Sequence, residues 1–357
     1  MSFRVKSLQR MLKPGLSRNI KVFADNCSVL RRNSRRSAAG SSDPSCIGNS
    51  MTPDISQPSR SLPTKAYSSR ADFVLIAYWL VLPAIVLRLA FTLAPLIQTF
   101  YLSLTNSSLM GRPRFVGLQN YVSLFHDQTL LSSLTFTIVY TIVSITLETI
   151  LGLLIAILLM QNLRGRWISN FLILLPWVMA PLLAATVWKI MFYEDGGILN
   201  EILLHLGIVQ EPVRWLSDAR TAQFSVIVVT VWKNLSWCIL IFMAGLAALP
   251  RNVFEAAEID GANAIQKFFT ITLPLLKPTT YLVLMFRGMG EIQTFEQIMG
   301  LTRGGPGTAT NTLALYAYQR FFQELRYGYG SAVNVLLLLF TIAIGGFFAW
   351  RLYRASR

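Results

Sequence analysis

Pro250-Arg-Asn-Val-Phe-Glu-Ala-Ala-Glu-Ile-Asp-Gly-Ala-Asn-Ala-Ile-Gln-Lys-Phe-Phe-Thr-Ile-Thr-Leu-Pro274 separates two long apolar runs of the chain. Its residues predict a helix, a turn and a second helix. Pro250 ends the preceding run, Glu255 to Ile259 are good helix formers, and Asp260-Gly261 supplies a flexible turn before Ala262 to Ile271 resumes with Phe268 and Phe269. Glycine at 261 permits a positive φ, where a side chain would clash. A short amphipathic helix set between hydrophobic spans has no core of its own to bury against, which makes it a docking element for another protein.

Outward from this loop, six stretches are long enough to cross a bilayer, which takes about 20 apolar residues at about 1.5 Å rise each. They lie near 73–104, 130–160, 167–193, 223–249, 275–301 and 332–353. Helix is the state that satisfies backbone polar groups within each segment in lipid. The expected fold is therefore an all-α membrane protein of six transmembrane helices, with the loop as a cytoplasmic coupling helix between the fourth and fifth. Pro83, Pro95, Pro176 and Pro181 are expected to kink the first and third spans. Composition agrees: of 357 residues 53% are hydrophobic and 14% charged, against about 25% charged in soluble domains. That excludes a water-soluble enzyme and a disordered chain. Cys27, Cys46 and Cys238 show no CxxC spacing and cannot staple a fold of this size.

The net charge of +15 does not point to nucleic acid, because residues 1–70 hold thirteen Lys/Arg and three Asp. This Ser- and Arg-rich leader buries too little to fold alone and is expected to be disordered. It resembles an organelle transit peptide; the favoured alternative is a reading frame begun too far upstream, with Met51 as the natural start. The membrane domain is then 71–357. Basic residues beside the spans number 21 on one side and 7 on the other, which predicts that both termini are cytoplasmic. Without the leader the counts are 8 and 7, and the orientation then leans on the loop at 250–274.

Glu255-Ala256-Ala257, Gly261 after three residues, Ile271 after nine more and Leu273-Pro274 after one more resemble the EAA motif of ABC importer permeases. Phe115-Val-Gly-Leu-Gln-Asn-Tyr121, Leu175-Pro-Trp177 and Gly328-Tyr-Gly-Ser-Ala332 are similar to the carbohydrate importer branch, in particular its maltose-type first permease. Leu301-Thr-Arg-Gly-Gly-Pro-Gly307 resembles that branch's Thr-Gly-Gly-Gly-Pro-Gly segment, with Arg303 departing from it, so a different loop geometry is expected there. The resemblance implies a division of labour in a bacterial inner membrane. A second homologous permease completes the channel, two cytoplasmic ATPase subunits dock on the EAA residues, and an extracytoplasmic binding protein delivers the solute. ATP and Mg belong to the ATPases, and this chain is expected to bind no cofactor or metal of its own and to be no enzyme. The sequence agrees, since it has no GxxxxGK[ST] phosphate loop, and His126 and His205 both fall in external loops.

Charges within spans mark snorkelling or function. Lys189, near a span end, snorkels. Arg88 and Glu148 are each open to an interhelical pair or a place nearer the path. Lys233 stands beside Trp232, Asn234, Ser236 and Trp237, an aromatic and amide mixture suited to sugar rings. Arg287 lies twelve residues into the fifth span, about 18 Å from the cytoplasmic end, and Glu291 follows on the same face. Glu296 falls on the opposite face of a continuous helix. The family's path along the fourth and fifth spans makes Trp232, Asn234, Trp237, Arg287, Glu291 and Gln293 the candidate solute contacts; a structural Arg287–Glu291 pair, rescued by removing both members, is the competing reading. A stand-alone secondary transporter would show inverted repeats, and a membrane-embedded enzyme would need paired acids or histidines; neither accounts for the EAA spacing. A neutral carbohydrate is the favoured solute and a glycerol phosphate the alternative.

Overall fold

The computed structural model describes residues 70–109, 113–161 and 166–355. The basic leader lies outside the described residues. In chain order the helices are α1 (Arg70–Ser103), α2 (Gln119–Phe125), α3 (Gln128–Met160), α4 (Arg166–Val178), α5 (Pro181–Met191), α6 (Ile198–His205), α7 (Ala219–Ala247), α8 (Arg251–Ile259), α9 (Ala264–Leu275), α10 (Lys277–Ile292), α11 (Glu296–Leu301), α12 (Leu313–Tyr318) and α13 (Tyr327–Ala355). The described residues contain no strand beyond a single bridge between Thr105 and Phe115.

Among the described residues α1, α3, α7 and α13 are each long and apolar enough to cross a membrane. Two bent pairs, α4 with α5 at 103° and α9 with α10 at 62°, raise the number to six if each pair is one span. The stretch 167–193 is thus two helices, where a single kinked span was expected. Pro176 is accommodated inside α4, whereas Pro181 opens α5 and leaves Ala180 extended, at φ −59 and ψ 138. The cause is steric, because proline drives the residue before it out of the helical region. α1, by contrast, runs unbroken through Pro83 and Pro95. The fifth stretch also differs from expectation. α10 stops at Ile292, Gln293 to Phe295 turn, and α11 starts at Glu296. Glu296 is therefore on a separate helix, and the helical-wheel placement opposite Arg287 does not hold.

The helices pack through small residues. A Cβ on Gly152 of α3 would come within 2.8 Å of Cys238 Cβ on α7, and one on Gly288 of α10 within 2.7 Å of Ile344 on α13. The apolar side chains of α1 from Tyr78 to Phe100 lie largely exposed. Its C-terminal end is pinned by the Phe115–Tyr121 segment: Asn120 Nδ2 donates to the carbonyls of Ser103 and Thr105, both at 2.8 Å, and the Tyr121 and Ser103 hydroxyls are 2.8 Å apart.

Asp127 caps α3 by accepting from the N–H groups of Thr129 (2.9 Å) and Leu130 (3.2 Å). Its other oxygen accepts from the hydroxyls of Tyr316 and Tyr329. Burial acts to raise this carboxyl, but the hydrogen bonds from Tyr316, Tyr329 and the helix N-terminus outweigh it and hold its pKa below the usual carboxylate value. Gly328 donates its N–H to Ser107 O at 2.9 Å, and a Cβ there would lie 2.0 Å from Thr105 O.

The Leu301–Gly307 segment keeps a glycine-like course despite Arg303. Arg303 takes φ 55, followed by Gly304 at φ 92 and Gly307 at φ 58. Its N–H donates to Ile298 O at 2.8 Å, while Thr310 Oγ1 donates to Gly305 O at 2.7 Å and lies 2.7 Å from Thr302 Oγ1. The departure from glycine is thus carried as strain in one residue. A left-handed non-glycine costs about 1–2 kcal/mol, partly offset by glycine's greater loss of chain freedom. Arg303→Gly is therefore expected to raise stability by about 0.5–1 kcal/mol in thermal unfolding of the purified protein. An unchanged or lower unfolding temperature would show that the corner is unstrained.

Candidate functional site

α3, α7 and α10 meet around a buried polar cluster. Glu148 from α3 and Glu291 from α10 have no exposed surface, and Arg287 lies between them. Arg287 Nε donates to Glu148 Oε2 at 2.7 Å and Nη2 to Glu148 Oε1 at 3.3 Å; Nη2 also donates to Glu291 Oε1. Glu291 accepts further bonds from Asn234 Nδ2 (3.0 Å), the Tyr140 hydroxyl (2.8 Å) and Thr294 Oγ1 (3.3 Å); the one Tyr140 proton is spent on Glu291, and the Thr230 hydroxyl, 2.9 Å away, donates to the Tyr140 oxygen. Every one of these is a donation to a carboxylate oxygen or within its hydroxyl chain, so the cluster is satisfied in the sense that low dielectric demands.

The arrangement separates the sequence candidates. Arg287, Glu291 and Asn234 come together as a fixed crosslink between three helices. Glu148, left open by the sequence, is the arginine's second partner, 139 residues away in the chain; Arg88 is exposed on α1 and takes no part. Trp232 packs edge-on against Trp188, with ring centroids 5.4 Å apart. Trp237 lies 5.9 Å from Phe286. Gln293 is exposed and donates to Thr341 Oγ1 at 3.3 Å. Phe286, Gly290 and Gln293 form one exposed stripe along α10 at helical spacing. Phe286 was not among the sequence candidates, although its position four residues before Gly290 and seven before Gln293 was there to be read.

The loop at 250–274 folds as α8, a turn and α9. Gly261 takes φ 77; its N–H donates to Glu258 O (3.1 Å), and that of Ala262 to Ala257 O (2.9 Å), the paired bonds that close a helix through a left-handed glycine. Asn263 then caps α9 reciprocally with Gln266: Gln266 N–H donates to Asn263 Oδ1 at 2.8 Å and Asn263 N–H to Gln266 Oε1 at 2.9 Å. This capping box follows from the Asn-x-x-Gln spacing and was missed in the sequence. Lys267 Nζ meets Glu258 Oε1 at 2.8 Å across the turn, and that hydrogen bond lowers the Glu258 pKa. Of the motif residues, Ala257 is buried, Ile271 and Leu273 are half-buried, and Glu255, Ala256, Gly261 and Pro274 are exposed. Ile259 is 88% and Ile265 70% exposed on the outside of the turn.

Known proteins share this build. The chain is 37% identical over 272 residues to the trehalose/maltose transport system permease protein MalF of Thermococcus litoralis, covering 75% of this chain and 91% of that protein. It is 34% identical over 275 residues to the sn-glycerol-3-phosphate transport system permease protein UgpA of Agrobacterium fabrum, covering 76% and 93%. Its fold matches a chain in the crystal structure of a bacterial ABC transporter that imports the acidic polysaccharide alginate, with a TM-score of 0.70 at 21% identity over 80% of this chain and 97% of that one. Residues 148–355 match the family described as binding-protein-dependent transport system inner membrane component. With more than half of its length in that match and relatives covered nearly end to end, the chain belongs to the inner-membrane permease subunits of ABC importers.

Proposed function

We propose that this chain forms half of a translocation path for a sugar or related solute, paired with a second homologous permease and powered by two cytoplasmic ATPase subunits that carry the ATP and Mg. An extracytoplasmic binding protein delivers the solute, and both termini lie in the cytoplasm. The chain contributes no cofactor of its own. Relatives named for trehalose/maltose and for glycerol 3-phosphate support a sugar first and a glycerol phosphate second. The path runs along the α10 stripe of Phe286, Gly290 and Gln293 with Trp237 and Trp232 beside it; Arg287, Glu291 and Asn234 hold that wall in place from behind.

The observation that carries the reading is the 250–274 loop, a closed turn whose outward face presents Ile259, Ile265 and Phe269, left exposed by the described residues. Such a surface suits a cleft on an ATPase, with Glu255, Ala256, Ala257, Gly261, Ile271, Leu273 and Pro274 as the coupling residues. Gly261→Pro tests it. Proline forbids φ 77 and removes the N–H that bonds to Glu258, while a Cβ at 261 meets no atom within 4 Å, so the spans are undisturbed. The variant is expected to insert normally and to lose uptake in proteoliposomes, with ATP hydrolysis no longer following the loaded binding protein. A wild-type uptake rate would remove the loop from the coupling machinery.

A further inference from the structure

Lys233 stands on α7 between Trp232 and Asn234 and is only 6% exposed. Among the described residues its ammonium makes neither a hydrogen bond nor an ion pair, although it carries three donors. The ammonium itself is not closed off by the described residues, so its donors stay open to an incoming group. On α7 it shares a face with Trp237, four residues on. Trp237 packs on Phe286, which begins the exposed α10 stripe that ends at Gln293.

The charge balance narrows what this amine can serve. Glu148 accepts only from Arg287, and Glu291 only from Arg287, Asn234, Tyr140 and Thr294. Counted at formal charge, Glu148 and Glu291 balance Arg287 and Lys233, and Glu296 on α11 adds one more acid. An anionic solute meets no surplus positive charge there. A neutral polyol offers the ammonium several hydroxyl oxygens and leaves the balance untouched, while the indoles supply faces for its rings.

Building on the permease reading above, we infer that Lys233 is a solute-contacting residue whose ammonium donates hydrogen bonds to the hydroxyl oxygens of a neutral, polyhydroxylated solute. The test uses the complete transporter in proteoliposomes, with maltose, trehalose and glycerol 3-phosphate as probes and co-purification of the ATPase as the measure of assembly. Wild type is expected to carry a neutral probe and to exclude glycerol 3-phosphate. Lys233→Met should lower uptake about tenfold with assembly unchanged, the loss of a charged hydrogen bond to the solute, and Lys233→Gln, which keeps donors without charge, should retain more of it. Wild-type uptake by Lys233→Met, or carriage of glycerol 3-phosphate in preference to both sugars, would overturn the inference. So would loss of assembly in both variants, which would make Lys233 a charge-balancing residue alone. Failure of the wild-type chain to co-purify with an ATPase or to carry any probe would instead sink the permease reading itself.

Discussion

Arg287→Met is expected to destabilise the membrane bundle by about 3–5 kcal/mol, because it strands two fully buried carboxylates at once. The yield and thermal unfolding of the detergent-purified complex measure this. The structure also changes which compensation succeeds. Removing Glu291 along with Arg287 would suffice if the two formed an isolated pair, but Glu148 remains and its two hydrogen bonds from Arg287 have no substitute. The Arg287→Met/Glu291→Gln variant is therefore expected to stay unstable, and the triple variant that adds Glu148→Gln to recover most of the loss. A double variant as stable as wild type would show that Glu148 is not held by Arg287. Uptake by the stable triple variant would place the whole cluster in the scaffold.

Gly328→Val is expected to abolish folding outright. The ideal Cβ already falls 2.0 Å from Thr105 O and 3.0 Å from its carbonyl carbon, and those are backbone atoms that cannot swing away. The residue sits where the start of α13 crosses the end of α1, tied by the bond from its own N–H to Ser107 O. Relief would require breaking that bond and the Asn120 contacts beside it, a combination of overpacking and lost polar satisfaction that exceeds the usual range of about 0.5–3 kcal/mol for single substitutions. Gly346 on the same helix is the control, since a Cβ there meets nothing within 4 Å. Gly346→Val should extract from membranes as a monodisperse protein, and Gly328→Val should not; equal behaviour of the two would show that the crossing can open.

The long helices were legible because length and apolar content alone select them, and the turn at Gly261 because Asp-Gly between two helix-forming stretches is a local signal. The breaks were harder. At Ala180 the decisive proline was visible, yet whether Pro181 kinks a helix or begins a new one depends on what the second half packs against, here α11. At Ile292 no breaker residue marks the end of α10; the chain turns where Glu291 and Thr294 are drawn into the buried cluster. The candidate site shows the same limit. Arg287 with Glu291 could be read from four-residue spacing, whereas Glu148, Tyr140 and Thr230 reach the cluster from distant parts of the chain, and no local pattern encodes which of several buried polar residues will meet.

The corner at Arg303 bears on how the lineage of such a loop is traced. A pattern written in letters demands glycine there and would score this chain as a mismatch. Written in dihedral angles, the same position is one that glycine takes up freely, with a φ of 55 and a backbone bond back to Ile298. What this corner needs is a direction of the chain, which glycine holds without strain and arginine holds with it. A substitution at 303 can then change the exposed side chain while the turn itself keeps its course.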